Sequence, residues 1–400
     1  MLKHISVKTV ALLTATVFLN CKDKSTSNSA STEASNEVAN KEVSFKDRFP
    51  NLLTYKVDSL AFPRSGSAKN NTVKKVPSKD WTSGFFPGTL WQIYELTGDQ
   101  KYLEKAKEWT AYVEQEKFND RTHDMGFKVF CSFGQGYKLS KNKAYKDVII
   151  KSAQTLKTRY NSTVGSIRSW DFNKDIWKFP VIVDNMMNLE LLFEASILAG
   201  DPSFKEIAYQ HAKTTLKNHF RPDGSIYHVV DYDPETAKVR SKVTHQGFND
   251  ASIWARGQGW GIYGFTMAYR YTKDPSFLKR AQETANFIMN HPRLPKDAIP
   301  YWDLDAPNIP NEPRDASAAA VIASGLIELY GFTNNKAYLD FSDRIIESLS
   351  SQEYVITNDT SIPFILDHST GNWPKNDEID EPISYADYYF LESIIRRKNI

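Results

Sequence analysis

The sequence predicts an all-α protein, an (α/α)6 barrel built from six helical hairpins. Two observations carry this prediction. A four-residue motif of Asp or Asn, two intervening residues and an aromatic residue recurs along the 400-residue chain, and its copies begin at Asp99, Asn142, Asp201, Asp274 and Asn335. Between the copies lie stretches that are rich in Gly, Ala and aromatic residues and carry few charges. Such composition is typical of helices that are buried on most sides.

Each motif copy is predicted to open an outer helix. Asp and Asn are favoured N-caps, and the prolines Pro202 and Pro275 suit the first helical position. Phe204–Asn218 and Phe277–Asn290 are two of these predicted helices. Both have one face rich in charged residues, as an outer layer requires.

Each motif copy also ends a preceding, mostly apolar stretch. These predicted inner helices are Phe85–Thr97, Phe127–Leu139, Asn185–Ala199, Gly257–Tyr271 and Ala316–Phe332. A sixth, Tyr388–Arg397, lacks a following partner, and Phe45–Phe62 near the start could supply it. The alternative is an open helical solenoid, but the two unpaired ends favour a closed ring. Signals for β-strands are confined to Ser225–Val243, which is predicted as a hairpin or long loop.

The N-terminus predicts export. A short apolar run, Val10–Leu19, follows three basic residues and is too short to span a bilayer. Cys21 comes next, ahead of a Ser-, Thr-, Asn- and Glu-rich segment. We interpret residues 1–20 as a signal peptide of lipoprotein type with Cys21 as the lipidated residue, 21–42 as a flexible linker and 43–400 as the barrel domain. A cleaved, unlipidated secretory signal is the alternative. A periplasmic or lipid-anchored bacterial protein is expected.

Composition excludes several classes of function. The net charge is +2, so neither nucleic acid nor another polyanion is indicated as a partner. Cys21 and Cys131 are the two cysteines, too few for a disulfide framework or a cysteine-based metal site. No zinc-ligand spacing and no phosphate-binding Gly loop occur, so we expect neither a metal nor a cofactor. A monomer or weak oligomer is expected.

The predicted architecture indicates where the site lies. Because every inner helix is followed by an outer return, the inner helices all begin at one end of the barrel. The loops that enter them contain Trp81, His123-Asp124, Asp184, Trp254-Ala255-Arg256 and Arg314-Asp315. Helix N-termini also favour carboxylate ligands through their free N–H groups.

Two carboxyls at these entries are candidates for acid–base chemistry. Asp184 follows an apolar run and precedes a buried helix; it is either an N-cap or a catalytic carboxyl whose pKa is raised by its surroundings. Asp124 could equally be a cap. His228 could serve the site or be a surface loop residue. Arg256 could clamp a carboxylate with its planar fork or pair with a neighbouring Asp.

The stretch Thr244–Trp260 combines aromatic faces, a fixed cation and amide donors. That combination suits a polar ring-shaped ligand such as a sugar acid. The alternative is a Gly-rich loop that feeds a helix and places its Trp residues in the core.

Six segments of the chain, in order, resemble those of the unsaturated glucuronyl hydrolases, glycoside hydrolase family 88. The segments are Trp81–Gly88, His123–Phe127, Asp184–Leu189, Thr244–Phe248 together with Trp254–Gly261, Pro313–Ala318 and Tyr385–Leu391. The resemblance covers roughly residues 45 to 397, and the family has the (α/α)6 barrel that the repeats predict independently.

The resemblance implies an exo-acting enzyme on unsaturated oligosaccharides left by polysaccharide lyases. It implies that Asp184 is the general acid and base that hydrates the C4–C5 double bond of the terminal unsaturated uronic acid, with Asp124 as the second carboxyl. The substrate-binding residues that it implies are His123, Trp170, His228, Gln246, Trp254, Arg256 and Trp260. Trp254 and Trp260 are expected to stack on the sugar.

Two alternatives stay open from the sequence. One is a barrel that acts on an unsaturated rhamnogalacturonyl unit, and the other is a non-catalytic glycan-binding lipoprotein. Two carboxyls facing an acidic sugar argue against mere binding. Ser369 and Lys375 could contact a sulfate on the next sugar or belong to a solvated loop.

Overall fold

Helices dominate the computed structural model, which describes residues 44–56, 61–357 and 360–400. The α-helices are α1 (Phe49–Thr54), α2 (Phe85–Thr97), α3 (Gln100–Val113), α4 (Gln135–Ser140), α5 (Lys143–Lys157), α6 (Asn185–Ala199), α7 (Pro202–Asn218), α8 (Ala255–Thr272), α9 (Pro275–Met289), α10 (Ala316–Thr333), α11 (Lys336–Leu349) and α12 (Ser384–Lys398). A π-helix, Gly126–Gly134, runs directly into α4. The predicted signal peptide, the linker and Cys21 lie outside the described residues.

The inner helices form a closed ring. Around it, α2 packs on the π-helix, the π-helix on α6, α6 on α8, α8 on α10, α10 on α12, and α12 again on α2. The packing of the last inner helix, α12, against the first, α2, confirms the predicted (α/α)6 barrel and excludes the open solenoid. Helix α10 is apolar and long enough to cross a membrane by composition, but its side chains are mostly buried between α8, α11 and α12.

The five motif copies cap the outer helices as the sequence predicts. In each, the side-chain oxygen of the Asp or Asn accepts a hydrogen bond from the backbone N–H two residues later. The caps are Asp99 for α3, Asn142 for α5, Asp201 for α7, Asp274 for α9 and Asn335 for α11. Each cap satisfies a donor that the first turn of a helix otherwise leaves free.

The N-terminal partner is shorter than predicted. A 3-10 turn at Phe45–Arg48 and α1 replace the helix expected over Phe45–Phe62. Phe62, the predicted last residue of that helix, instead begins a strand that runs to Ser67. Arg48 is buried and donates to the carbonyls of Thr360, Ile362 and Phe364, and these bonds tie the turn to a distant loop.

The prediction that strand signals are confined to Ser225–Val243 is wrong. The strands are β1 (Phe62–Ser67), β2 (Thr72–Val76), β3 (Tyr160–Asn161), β4 (Ser166–Ile167), β5 (Phe179–Ile182), β6 (Val229–Tyr232), β7 (Val239–Val243), β8 (Ser369–Asn372) and β9 (Asp377–Glu381). All pair antiparallel in small sheets, the largest being β5-β6-β7. They have two to six residues each, too few to show a clear alternation in sequence.

Close packing of the ring depends on small residues at the contacts. A Cβ atom on Gly88 of α2 would lie 2.4 Å from the carbonyl oxygen of Cys131 and 2.5 Å from the ring of Tyr388. The π-helix and α12 therefore both approach α2 at this glycine. Gly331 of α10, by contrast, has nothing within 4 Å of the same position.

We expect Gly88→Ala to lower the free energy of unfolding by about 1–3 kcal/mol, because the added methyl overpacks the ring where it closes. Gly331→Ala is the matched control. It should raise stability by up to about 1 kcal/mol, because alanine is the better helix former. Thermal unfolding followed by circular dichroism measures both. Equal effects of the two variants would contradict the close approach at Gly88.

Candidate active site

A cavity of about 360 Å³ opens at the end of the barrel where the inner helices begin. Trp81 before α2, Asp124 before the π-helix, Asp184 before α6 and Arg256 at the start of α8 all line it. The structure thus brings four of the five helix entries together. The predicted site residues on its walls are His123, Asp124, Trp170, Asp184, His228, Gln246 and Arg256.

Asp184 stands immediately before α6 but does not cap it. Its side chain makes no hydrogen bond to the first turn, and its Oδ2 atom is buried without a hydrogen-bond partner among the described residues. Burial raises the pKa of Asp184 to about 7, although the charges of His123 and Arg256 oppose the shift. The carboxyl is therefore available in its neutral form near neutral pH.

Asp124 has the opposite environment. Its Oδ2 accepts the Thr122 hydroxyl at 2.6 Å, and its Oδ1 lies 3.1 Å from His123 Nε2. Burial alone would raise the pKa of Asp124, but His123 and Thr122 outweigh burial and hold the pKa below its ordinary value. The pKa values of the two carboxyls are thus shifted in opposite directions, so Asp184 favours the neutral acid and Asp124 the carboxylate. Opposite shifts of this kind are typical of an acid–base site.

His228, the residue before strand β6, faces Asp184. Its Nε2 atom lies 3.7 Å from Asp184 Oδ2, and its Nδ1 accepts the backbone N–H groups of His245 and Gln246. Burial, reinforced by His245 and Arg256, holds the pKa of His228 well below its ordinary value. His228 is therefore a buried, neutral component of the cavity wall, and a surface loop position is excluded.

Arg256 is committed to the protein itself. Its Nη1 donates to Asp315 Oδ2 at 2.6 Å and to the carbonyl of Thr370 at 2.7 Å, and its Nη2 donates to the carbonyl of Gly371 at 2.6 Å. Of the two sequence alternatives, the structure shows the pairing with a neighbouring Asp. Arg256 thereby joins α8 and α10 to strand β8 while one edge of its side chain faces the cavity.

Comparison with known proteins identifies the family. The family model "Glycosyl Hydrolase Family 88" matches residues 61–300. The chain belongs to glycosyl hydrolase family 88. An unsaturated glucuronyl hydrolase from Formosa agariphila is 57% identical over 98% of both chains. An unsaturated chondroitin disaccharide hydrolase from Streptococcus agalactiae is 32% identical over 82% of this chain and 83% of the relative.

Solved structures of the family share the barrel. The crystal structure of an unsaturated glucuronyl hydrolase specific for heparin superposes with a TM-score of 0.84 at 44% identity, covering 89% of this chain and 98% of that one. The enzyme from Bacillus sp. GL1, described as responsible for the degradation of glycosaminoglycan, gives a TM-score of 0.78 at 28% identity over 88% and 96%.

Two of the predicted substrate contacts, Trp254 and Trp260, are not among the residues that line the cavity. Trp260 is fully buried, packs against Phe127 and Tyr389, and does not line the cavity. It belongs to the core because it lies more than a turn inside α8, where the inner helices meet. Trp254 lies beneath the cavity wall, with its ring 4.4 Å from the ring of His228 and 4.8 Å from the Arg256 guanidinium. Neither ring lines the cavity in this structure, and the expectation that they stack on the sugar stays a prediction.

Trp170 and Phe172 form a stacked aromatic pair on the cavity wall, which Trp81 and Phe127 also line. The rings of the pair stack at 4.9 Å with 15° between planes, and His245 lies 5.3 Å from Trp170. Phe172 is 46% exposed. Sequence analysis found Trp170 but missed Phe172 and His245, although two aromatic residues at alternate positions in a polar loop were a usable signal.

Other cavity residues come from the strands that sequence analysis missed. Arg64 on β1 forms a two-pronged ion pair with Glu378 of β9, and Asn372 and Lys375 come from the β8–β9 hairpin. Lys375 is exposed at the cavity, whereas Ser369 is fully buried in β8 and does not line it. The two residues considered together for sulfate contact are therefore separated.

Replacement of the two tryptophans by leucine should separate binding from packing. Trp170→Leu should raise KM for an unsaturated disaccharide about two- to tenfold, because it removes an aromatic face from the cavity. Trp260→Leu should leave KM within about twofold but lower the free energy of unfolding by roughly 2 kcal/mol, because it leaves space in the core. Steady-state kinetics and thermal unfolding distinguish these results. A large KM effect confined to Trp260→Leu would place that ring at the substrate.

Proposed function

We propose that Asp184 is the general acid and base of an exo-acting hydrolase, and that the cavity receives the terminal sugar of its substrate. The enzyme removes the non-reducing-end 4,5-unsaturated uronic acid from lyase-generated oligosaccharides by hydrating the C4–C5 double bond. One observation carries the assignment: at the helix entry Asp184 has a buried carboxyl oxygen to which none of the described residues donates a hydrogen bond, and burial raises the pKa of this carboxyl to about 7.

The proposed reaction requires a neutral carboxyl. The C4–C5 double bond is part of an enol ether, and the Asp184 proton adds to C4, which leaves an oxocarbenium ion at C5. The Asp184 carboxylate then accepts a proton from water as the water oxygen bonds to C5. The resulting hemiketal opens to a ketone at C5 and a hemiacetal at C1. The hemiacetal collapses to an aldehyde, which breaks the C1–O bond, and the next sugar leaves with its glycosidic oxygen as a hydroxyl. An acid with a pKa near the working pH suits both halves of this cycle.

Asp124 supports Asp184 through its charge. As a carboxylate held by Thr122 and His123, it lies near Asp184 and contributes to the elevated pKa of that residue. In our proposal Asp124 also accepts hydrogen bonds from sugar hydroxyls, which an ionised carboxylate does well. The basic side chains of Arg121 and Lys375 at the cavity complement an acidic sugar, whereas Arg64 and Arg256 are already paired with carboxylates of the protein.

The acid–base assignment is tested by Asp184→Asn, which should lower kcat by about 10²- to 10⁴-fold, because an amide cannot deliver the proton. The ultraviolet absorbance of the unsaturated uronate should then persist, whereas the wild-type enzyme abolishes it. Asp387→Asn is the matched control. Burial also raises the pKa of Asp387 to about 7, but its two oxygens accept the N–H groups of Ile365 and Leu366 away from the cavity.

We expect Asp387→Asn to retain kcat and to lose only stability. Wild-type kcat in Asp184→Asn would overturn the assignment. An equal loss of kcat in both variants would show that any buried carboxyl matters to the fold, and would remove the argument for a specific role of Asp184.

We propose in addition that the protein is exported and attached to a membrane through a lipid on Cys21. The support is the apolar run that ends at Leu19, immediately before Asn20 and Cys21. Substrates made by extracellular lyases would reach such an enzyme directly. Cys21→Ser should move the protein from the membrane fraction to the soluble fraction, and retention of the variant in membranes would contradict lipidation. A monomer or weak oligomer stays a prediction.

A further inference from the structure

The ring of His228 is held in one tautomer by the backbone. Its Nδ1 atom accepts the N–H of His245 at 3.1 Å and the N–H of Gln246 at 3.2 Å. A ring nitrogen that accepts a hydrogen bond carries no proton, so the proton of the neutral imidazole is on Nε2. Nε2 points to Asp184 Oδ2 at 3.7 Å, and neither atom has a hydrogen-bond partner among the described residues.

The two backbone donors belong to a loop, Thr244–Ser252, that is fixed from behind. The Thr244 hydroxyl accepts the N–H of Gly247 at 2.8 Å. The Oδ2 atom of Asp303 accepts the N–H of Phe248 at 2.9 Å and the hydroxyl of Ser252 at 2.6 Å. Asp303 is fully buried and does not line the cavity.

The loop leaves no room for a side chain where it bends towards Asp303. A Cβ atom on Gly247 would lie 2.7 Å from the Thr244 hydroxyl oxygen and 3.0 Å from Asp303 Oδ2. The carboxylate of Asp303 therefore contacts the loop directly beside the two N–H groups that face His228. The other carboxylate oxygen of Asp303 accepts the N–H of Asp305, and this bond fixes the carboxylate relative to its own backbone.

We propose that Asp303 is a positioning residue that acts through the Thr244–Ser252 loop to keep His228 in the Nε2–H tautomer facing Asp184. The inference rests on the proposed role of Asp184. When Asp184 has given its proton to C4, its Oδ2 becomes a carboxylate oxygen, and the Nε2–H group of His228 is the donor that stabilises it. His228 is thus a hydrogen-bond donor in this proposal, and it does not act as a base.

The surroundings of His228 explain why a neutral donor is needed. The titratable and charged groups that face it are Asp184 before α6, His123 and Asp124 before the π-helix, His219 after α7, His245 on the loop and Arg256 on α8. Arg256 already supplies a fixed positive charge. A second one on His228 would favour the carboxylate form of Asp184 before the substrate is protonated.

Weakening the loop should therefore have a specific kinetic effect. If the two N–H groups no longer face Nδ1, that atom is free to bind a proton, and His228 becomes a cation more readily. The cation lowers the pKa of Asp184. As the pH rises, the variant therefore loses the neutral form of Asp184 at a lower pH than the wild type does. The descending limb of kcat/KM against pH should move to lower pH, and kcat should fall about tenfold while KM changes less than about twofold.

The variants Asp303→Asn and Ser252→Ala test this proposal, with Asp305→Asn as the matched control. Asp305 is two residues from Asp303, and its side chain makes no hydrogen bond to the described residues of the loop. Nitrogen-15 spectra of histidine-labelled enzyme report the tautomer, and the His228 signals are assigned by their loss in His228→Gln. Ser252→Ala removes one donor to Asp303, and it serves if Asp303→Asn does not fold.

We expect His228 of the wild type and of Asp305→Asn to show the Nε2–H tautomer across the pH range of activity. Asp303→Asn or Ser252→Ala should show a mixture with the other tautomer or the cation, together with the shifted pH limb. An Nδ1–H tautomer in the wild type, or unchanged spectra and pH profile in both variants, would overturn the proposal. The spectra are recorded without substrate, so they stand even if Asp184→Asn proves active.

Discussion

The withdrawal of the Asp184 carboxyl from water is the constraint on which the proposed reaction depends. A buried carboxyl without a full set of hydrogen bonds costs less as the neutral acid than as the carboxylate, so burial raises the pKa of Asp184 to about 7. The barrel provides that burial. The residues before Asp184, strand β5 and Val183, are apolar and buried. Helix α6 follows Asp184 and runs into the core.

A raised pKa alone does not identify a catalytic group, and the protein contains its own counterexample. Asp387 on α12 is as deeply buried as Asp184, and burial likewise raises its pKa to about 7. Its oxygens, however, accept two backbone N–H groups and hold the loop at Ile365 and Leu366. Asp184 differs because its Oδ2 has no such partner in the described part of the chain and faces a cavity that also contains a neutral histidine.

Ion pairs between arginines and carboxylates stabilise the mouth of the barrel as much as the helices do. Arg256 links Asp315 to the backbone of β8, and Arg64 links β1 to Glu378 of β9. The β8–β9 hairpin is therefore held from two sides, and it brings Asn372 and Lys375 to the cavity. Removing one partner of such a pair would leave a buried charge uncompensated, so these contacts fix the hairpin firmly.

The sequence predicted the barrel because its signals are local and repeated. An Asp or Asn that caps a helix acts on backbone groups within three residues. Five such caps, among them Asp274 and Asn335, reveal the repeated helical hairpin. The mouth was harder to predict because its short strands are stabilised by partners far along the chain, as in the pairing of Val181 with Val230. The π-helix was likewise expected as an α-helix, since the two share an apolar pattern over a few turns.

The tryptophans show that sequence alone does not decide which single side chains reach the cavity. Trp260 and Trp170 are equally plausible sugar contacts in sequence, because both lie in motifs of the family. Only packing decides between them: Trp260 points into the ring against Phe127 and Tyr389, whereas Trp170 lies on a loop beside the cavity. The depth of a residue along an inner helix is therefore a better guide than its type.

The most direct test of this account is the titration of the Asp184 carboxyl itself. Enzyme labelled with carbon-13 at the aspartate carboxyl carbon gives a resonance for Asp184, identified by its loss in Asp184→Asn. The account predicts a titration midpoint at about pH 7 for that resonance. A midpoint close to that of an ordinary aspartate would contradict it, because the carboxyl would then be ionised at neutral pH and could not deliver the proton.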